Sequence, residues 1–285
     1  MRMIKKAIAM GNSAAVYVPK EYSGRHVVIL LPEGIEDIKR KIVERLAGCM
    51  DNIVGAYIFG SYARGESHPL SDIDVLIIAK DEDKRLKHLF DDMDVRVTTL
   101  EKIRRSIERF PAITIPLLKE AKTVINPVLL DDLRNSKVNY KNFRWNFDDI
   151  RRTLRIIGSF VRIDEEDIDI SHIYSLVMRA RVCYMMECLL KGRQFSNRGL
   201  QEEMKRRGLA EKTYEGYYGI YRQIRDGEEI DGRIDKGEIM RFIAILERYL
   251  SELEDDVKRK TSKSSKSARS SKKPEASRHE SEKKA

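Results

Sequence analysis

The sequence predicts an α+β protein: a mixed-sheet core, preceded by a small β-hairpin unit and followed by a helical domain. Three observations carry this. Two apolar, β-branched runs, Ile53 to Phe59 and Ile73 to Ala79, flank a Gly60-Ser61 turn and read as buried strands. The first 33 residues break into short strand-like segments. Beyond Asn139, apolar residues recur at helical spacing. The boundaries drawn from these changes are 1–33 for the β unit, 34–138 for the core, 139–257 for the helices and 258–285 for a basic tail. With 285 residues, 41% of them hydrophobic, the chain exceeds one average domain and can fill a substantial core.

In the β unit the expected strands are Ile4 to Met10, Ala14 to Val18 and His26 to Leu31, broken at Gly11-Asn12-Ser13, Pro19-Lys20-Glu21 and Ser23-Gly24. The string KKAIAMGNSAAVYVPKEYSGRHVVIL resembles AbrB-like swapped-hairpin domains. That resemblance implies a dimer that contacts DNA, with Lys5, Lys6, Lys20 and Arg25 as candidate phosphate contacts. From the residues alone, the segment is equally a hairpin that stabilises a larger sheet or a dimer, and its cations an ordinary solvated surface. A unit this small seldom holds a core by itself, so a homodimer is expected.

A helix is expected from Gly34, with Ile35, Ile38, Ile42 and Leu46 on one face. After the two core strands come a charged helix-like stretch, Asp81 to Phe90, and the alternating segment Met93-Asp94-Val95-Arg96-Val97. Glu101 to Arg109 reads as a helix and Thr123 to Ile125 as a last strand, while Pro111, Pro116 and Pro127 punctuate the exit from the core. Long amphipathic helices are then expected over Phe143 to Val161, Ile170 to Leu190, Asn197 to Arg207, Tyr214 to Arg225 and Gly237 to Arg259.

The chemistry gathers around the Gly-Ser turn. Ten residues separate Ser61 from Asp72, and Asp72 and Asp74 stand one residue apart at the start of the second strand. Alternate residues of a strand share a face, which places their Cα atoms roughly 6.5–7 Å apart on one side. Two carboxylates there repel each other unless a cation compensates them, and oxygen-only donors suit Mg²⁺, with Mn²⁺ as a substitute. Asp94, on a neighbouring strand, would complete a triad. Gly60 lets the backbone approach a phosphate closely, and Ser61 offers a hydroxyl and an amide for triphosphate oxygens. Arg64 reads either as a phosphate contact or as a structural ion pair. Ser71 reads as a turn residue and His68 as an exposed loop residue.

The pattern Gly-Ser, a ten-residue gap, Asp-hydrophobic-Asp-hydrophobic and a third hydrophobic-Asp-hydrophobic resembles the DNA polymerase beta-type nucleotidyltransferases. GSYARGESHPLSDIDVLI is most similar to their minimal branch. The resemblance spans about residues 34 to 126. It implies an α+β mixed-sheet core, Asp72 and Asp74 as ligands of two Mg²⁺ ions, and Asp94 as the carboxylate that contacts the catalytic metal and helps deprotonate the acceptor hydroxyl. Gly60 and Ser61 become triphosphate contacts and the helical domain a lid over the acceptor. Beside what the resemblance implies, Arg64 is counted as a candidate nucleotide contact, ATP as the leading donor, and the acceptor as RNA, a protein or a small molecule. The helices also loosely resemble the HEPN class, but neither His172 nor His279 follows an Arg at the Arg-x(4–6)-His spacing of its RNases. On the penultimate helix, Tyr217, Tyr218, Tyr221, Arg222 and Arg225 read either as a base-stacking, phosphate-pairing face or as core packing with a salt-bridged rim.

Charge separates the body from the tail. Residues 258–285 hold 11 Lys or Arg against 3 Asp or Glu, which is +8 of the net +9, so the remainder is close to neutral with 44 basic and 43 acidic residues. This Ser/Lys tail has no aliphatic stripe and is expected to be disordered, either as a polyelectrolyte arm for nucleic acid or as a solubilising extension. Cys49, Cys183 and Cys188 have no metal-site spacing. Without an 18-residue apolar run or a signal-peptide pattern, neither membrane insertion nor export is expected, and the location expected is cytoplasmic. Two functions fit: a Mg²⁺-dependent transferase of nucleoside monophosphates, and a dimeric DNA-binding regulator or antitoxin-like protein using the same fold as a scaffold. The intact triad favours the enzyme.

Overall fold

A computed structural model describes residue 5 and residues 7–29, 33–67, 71–83, 85–163, 168–228, 230 and 233–270. The chain opens with an antiparallel pair, β1 (Ile8–Met10) and β2 (Ser13–Ala15), that forms a two-stranded sheet of its own. His26 to Ile29 form no strand, so the third expected strand is not seen among the described residues. Ile8, Met10 and Val28 are all exposed, which is consistent with a unit too small to bury its own apolar residues.

The core follows as α1 (Ile35–Leu46), β3 (Ile53–Phe59), α2 (Gly60–Arg64), β4 (Asp74–Ala79), α3 (Arg85–His88), β5 (Asp94–Thr99), α4 (Leu100–Arg109), α5 (Pro111–Glu120), β6 (Lys122–Ile125) and α6 (Pro127–Arg134). Its four strands pair in the order β5-β4-β3-β6, antiparallel except for the parallel β4–β5 ladder. The sheet is mixed, as the sequence predicts. Strand alternation sorts the side chains by face. Ala56, Ile58, Val75, Ile77 and Ala79 pack with Ile38, Ile42 and Leu46 of α1, while Tyr57, Phe59, Leu76 and Ile78 pack against the helices on the other side.

Two local expectations change. Asp81 to Phe90 yields only the short α3. The proline-marked exit is instead a well-buried helix, α5, that packs against α2 and later against α8. Pro111 lies in its first turn, where a missing N–H costs nothing, and the single bond lost at Pro116 is outweighed by burial of Ala112, Ile115 and Leu118.

The helical region comprises α7 (Arg144–Ile163), β7 (Ile168–Asp169), α8 (Ser171–Lys191), α9 (Asn197–Arg206), α10 (Glu211–Arg225), β8 (Arg233–Ile234) and α11 (Lys236–Ser270). Helix α8 is apolar on nearly all sides and forms the hub, touching α5, α7, α9, α10 and α11. Helix α11 continues to Ser270, into the stretch from 258 for which disorder was expected, because Val257 still packs on the core and i, i+3 pairs such as Lys258–Asp255 and Arg259–Asp256 prolong it. Residues 271–285, like His68, lie outside the described residues. Among the described residues no helix is long and apolar enough to cross a membrane, and all three cysteines are free thiols.

Candidate active site

Asp74 opens β4 and is paired in register with Asp94 on the parallel neighbour and with Phe59 on the antiparallel one. Matched positions on adjacent strands point the same way, so both carboxylates lie on the face of the sheet that the helices cover. The Asp94 N–H donates to the Ile73 carbonyl at 3.0 Å, which fixes Asp94 beside the pair. Asp72 precedes the strand by two residues, off the strand on which the sequence placed it, and is exposed. The neighbouring Asp92 forms an ion pair with Arg45 and takes no part.

Electrostatics set Asp74 apart. Burial, then the charge of Asp94, push its carboxyl from 3.8 up to about 6; Arg96 and Arg64 oppose the rise and Asp72 adds to it. Asp94 is exposed and its carboxylate lies 3.9 Å from the Arg96 guanidinium. Among the described residues no three His, Cys, Asp or Glu side chains converge closely enough to enclose a metal ion. The expected triad is therefore not a preformed cage. The donor set still fits a divalent cation, since it consists of hard oxygens with too little positive charge beside them.

Gly60 packs directly on Asp74. Its φ is +75° and a Cβ added there would come within 1.9 Å of Asp74 Oδ2, so glycine permits both the turn and the close approach of the carboxylate. Its N–H is engaged, donating to Glu120 Oε1 at 2.9 Å. Ser61 lines the adjoining pocket.

Arg64 is a structural ion pair. Its Nε donates to Glu66 Oε2 at 2.7 Å and its Nη1 to Glu120 Oε2 at 2.8 Å, with the side chain only 12% exposed. Glu66 in turn accepts from the backbone N–H and the side-chain amide of Asn197, at 2.9 and 2.8 Å. The Asn197 Oδ1 accepts from Arg181 at 2.7 Å, and Arg64 and Arg181 both lie against the Phe195 ring. One continuous network thus joins α5 and α2 of the core to α9 and α8 of the helical region. Glu120, Glu66, Asn197 and Arg181 were not foreseen.

Beside this network lies a pocket of about 420 Å³, walled by Ser61, Arg64, Glu66 and Ser71 on one side and by residues of α8, α9 and α10 on the other. The aromatic-basic face expected on α10 divides. Tyr217 and Tyr221 are core residues, whereas Tyr218, Arg222 and Arg225 line the pocket together with Tyr214.

The nucleotidyltransferase-domain family profile matches residues 35–145. A Methanocaldococcus jannaschii protein, whose assigned name is that of a protein adenylyltransferase, is 32% identical over 124 residues, which is 41% of this chain and 79% of its own length. The chain belongs to the nucleotidyltransferase family, of the DNA polymerase beta type. Among solved structures, the spectinomycin adenyltransferase AAD(9) of Enterococcus faecialis aligns over 76% of this chain and 98% of its own at 14% identity and a TM-score of 0.44. A nucleotidyltransferase-like protein of Exiguobacterium sibiricum aligns over 77% and 75% at 14% identity and a TM-score of 0.33. As a nucleotidyltransferase the chain is an enzyme with a nucleotide substrate and an acceptor. The family match begins after the N-terminal hairpin and gives the AbrB-like resemblance no support.

Two outcomes test this geometry. Gly60→Ala places a methyl group on Asp74 and a β-carbon at positive φ, and should destabilise the fold by about 1–3 kcal/mol while lowering transfer activity; thermal melting and a pyrophosphate assay measure both. The raised pKa of Asp74 means that the native state binds more protons than the unfolded one between 3.8 and about 6, so stability falls as pH rises through that window. In metal-free buffer, Asp74→Asn should raise Tm by about 2–4 °C at about pH 7.5, equivalent to roughly 1 kcal/mol, and leave it nearly unchanged at about pH 4.

Proposed function

We propose that this nucleotidyltransferase is Mg²⁺-dependent and transfers a nucleoside monophosphate, from ATP foremost, to an acceptor hydroxyl with release of pyrophosphate. The observation that supports it most is the in-register pair Asp74–Asp94 with Asp72 two residues upstream, on the covered face of the sheet next to the Gly60-Ser61 turn. In this reading Asp72 and Asp74 hold the ions, Mn²⁺ serving as a substitute. The bound cations supply charge neutralisation for the triphosphate and its leaving group. Ser61 orients the phosphate chain, and Asp94 accepts the proton of the acceptor hydroxyl. The acceptor oxygen then bonds to the α-phosphorus as the bond from that phosphorus to the bridging oxygen breaks, and the electron pair leaves with pyrophosphate.

The relative named as a protein adenylyltransferase makes a protein side-chain hydroxyl the first acceptor to test, ahead of RNA 3′ ends and small molecules. The rival reading, a DNA-binding regulator, would use the N-terminal hairpin or the basic tail as its nucleic-acid contact and needs none of the carboxylates. Incubating the protein with α-labelled ATP, Mg²⁺ and cell lysate should pass label to one acceptor class. The double substitution Asp72→Asn, Asp74→Asn should abolish that labelling and pyrophosphate release, by at least about a thousandfold if alignment and charge neutralisation carry the rate, with the melting curve retained. Turnover with no nucleotide, together with tight binding to a specific DNA site, would establish the regulator instead.

A further inference from the structure

We propose that the free edge of β5 is the docking surface of the acceptor: an extended polypeptide segment adds there as a further strand of the core sheet, bringing a Ser or Thr hydroxyl opposite Asp94 and an Asp or Glu, two residues away, opposite Arg96. The proposal rests on the transferase reading above with a protein as its acceptor. It deepens that reading by naming how the protein is held and which hydroxyls are taken.

The sheet order β5-β4-β3-β6 leaves two outer strands, and they differ. β6 has four residues, opens on Lys122, pairs through a register shift and is followed by Pro127 in α6. Brevity, charge, irregularity and proline are the features that keep an edge from recruiting another strand. β5 has six residues, Asp94-Val95-Arg96-Val97-Thr98-Thr99, paired with β4 in one uninterrupted parallel register and free of proline and lysine. Apart from Asp94 and Arg96 every residue in it is β-branched, as suits a strand that pairs. The Asp94 N–H turns inward to Ile73, so alternation turns the N–H and C=O of Val95 and Val97 outward. Among the described residues no backbone hydrogen bond reaches them from beyond the sheet. The crossover between β4 and β5 packs its Leu86, Phe90 and Met93 on the α1 face of the sheet.

Position makes this edge more than a generic one. Phe59, Asp74 and Asp94 stand in one row across three strands. Matched positions on neighbouring strands share a face and lie about 5 Å apart, so a residue added opposite Asp94 extends that row by one. A serine or threonine there holds its hydroxyl beside the carboxylate that takes its proton, whereas the longer tyrosine reaches past it. An RNA end has no peptide N–H groups to meet the outward carbonyls of Val95 and Val97. Pairing of two β5 edges from two copies would withdraw Asp94 from any acceptor.

Arg96 supplies the selectivity. It lies two residues along β5 from Asp94, on the same face, with its side chain 59% exposed. The guanidinium rests over the Phe59 ring, 5.2 Å from its centre, and stands 3.9 Å from the Asp94 carboxylate, beyond hydrogen-bond range. Five donors held over a ring, with one distant carboxylate beside them, leave room for a second acid. A residue opposite Arg96 on the added strand is therefore best Asp or Glu, since opposite charges across a strand pair are favourable and like charges are not. The residue between it and the hydroxyl shares the face of Val95, which is buried among apolar side chains, and so is best apolar and β-branched. The motif selected is a Ser or Thr and an acid separated by one apolar residue.

The test gives the full chain α-labelled ATP, Mg²⁺ and a library of short synthetic peptides, each with a single Ser, Thr or Tyr. Label should enter Ser and Thr peptides that carry Asp or Glu two positions from the hydroxyl. In the best peptide, N-methylation of one amide at a time should lower kcat/KM by about three- to tenfold at every second residue and little at those between, the period of strand pairing. Arg96→Glu should exchange the preferred acid for Lys or Arg, a change of specificity that loss of stability would not produce. The N-methyl series needs no substitution in the protein and decides the matter if that variant misfolds. Labelled peptides with neither an acid preference nor the alternation would overturn the edge assignment and leave the transferase reading intact. Label that enters RNA, small molecules or folded proteins but no peptide would overturn it in the same way, and so would a dimer that Val97→Pro dissociates without loss of peptide labelling. Transfer to no acceptor of any class would remove both.

Discussion

The site depends on one buried cation. Arg64 bridges Glu120, at the end of α5, and Glu66, just past α2, and Glu66 grips the start of α9 through Asn197. Removing either partner of such a pair leaves an uncompensated charge in a desolvated setting, which is far costlier than losing an exposed salt bridge. The network therefore does more than stabilise. It fixes the turn that carries Gly60 and Ser61 relative to the helices that wall the pocket, so core and helical region present a single surface to a ligand. Arg64 is best understood as a positioning residue at the edge of that surface.

A second constraint acts on the sheet. In the parallel β4–β5 ladder Asp74 and Asp94 share a face, and β3 turns away at positive φ so that Gly60 touches Asp74. Crowding two carboxylates at the covered end of a sheet costs stability at neutral pH, and a fold tolerates that only where the charges are used. The raised pKa of Asp74 comes first from that burial and then from the charge of Asp94, and among the described residues no ready-made cage offsets it. Both become understandable if positive charge arrives together with the substrate.

How much of this was legible in the sequence follows the range of the interactions. The strand Ile53–Phe59 and the Gly-Ser turn are local patterns and are found as read, while the strand expected over Ile73–Ala79 begins at Asp74, so Asp72 lies just outside it. Asp94 is separated from Asp91 and Asp92 because alternation with Val95 and Val97 sets its face. Glu120 was hidden by the prolines of α5, which looked like punctuation until the burial of the helix outweighed their backbone cost. Asn197 and Arg181 act through contacts between elements far apart in sequence, which no periodicity encodes. Tyr214 was the nearest miss: positions 214, 218, 222 and 225 share one face of α10, and only packing reveals that this stripe, rather than Tyr217 and Tyr221, faces the pocket.

The central claim is that the carboxylates form a site that takes up a divalent cation and a nucleoside triphosphate together. Thermal melting in EDTA, with Mg²⁺ alone, with ATP alone and with both tests it most directly. Ligand saturation a hundredfold above Kd corresponds to about 2.7 kcal/mol of stabilisation. For a chain of this size that is a Tm rise of roughly 5–10 °C, expected only when Mg²⁺ and ATP are present together and well above the sum of their separate effects. Equal melting temperatures in EDTA and in Mg²⁺ with each of the four nucleoside triphosphates would contradict the account.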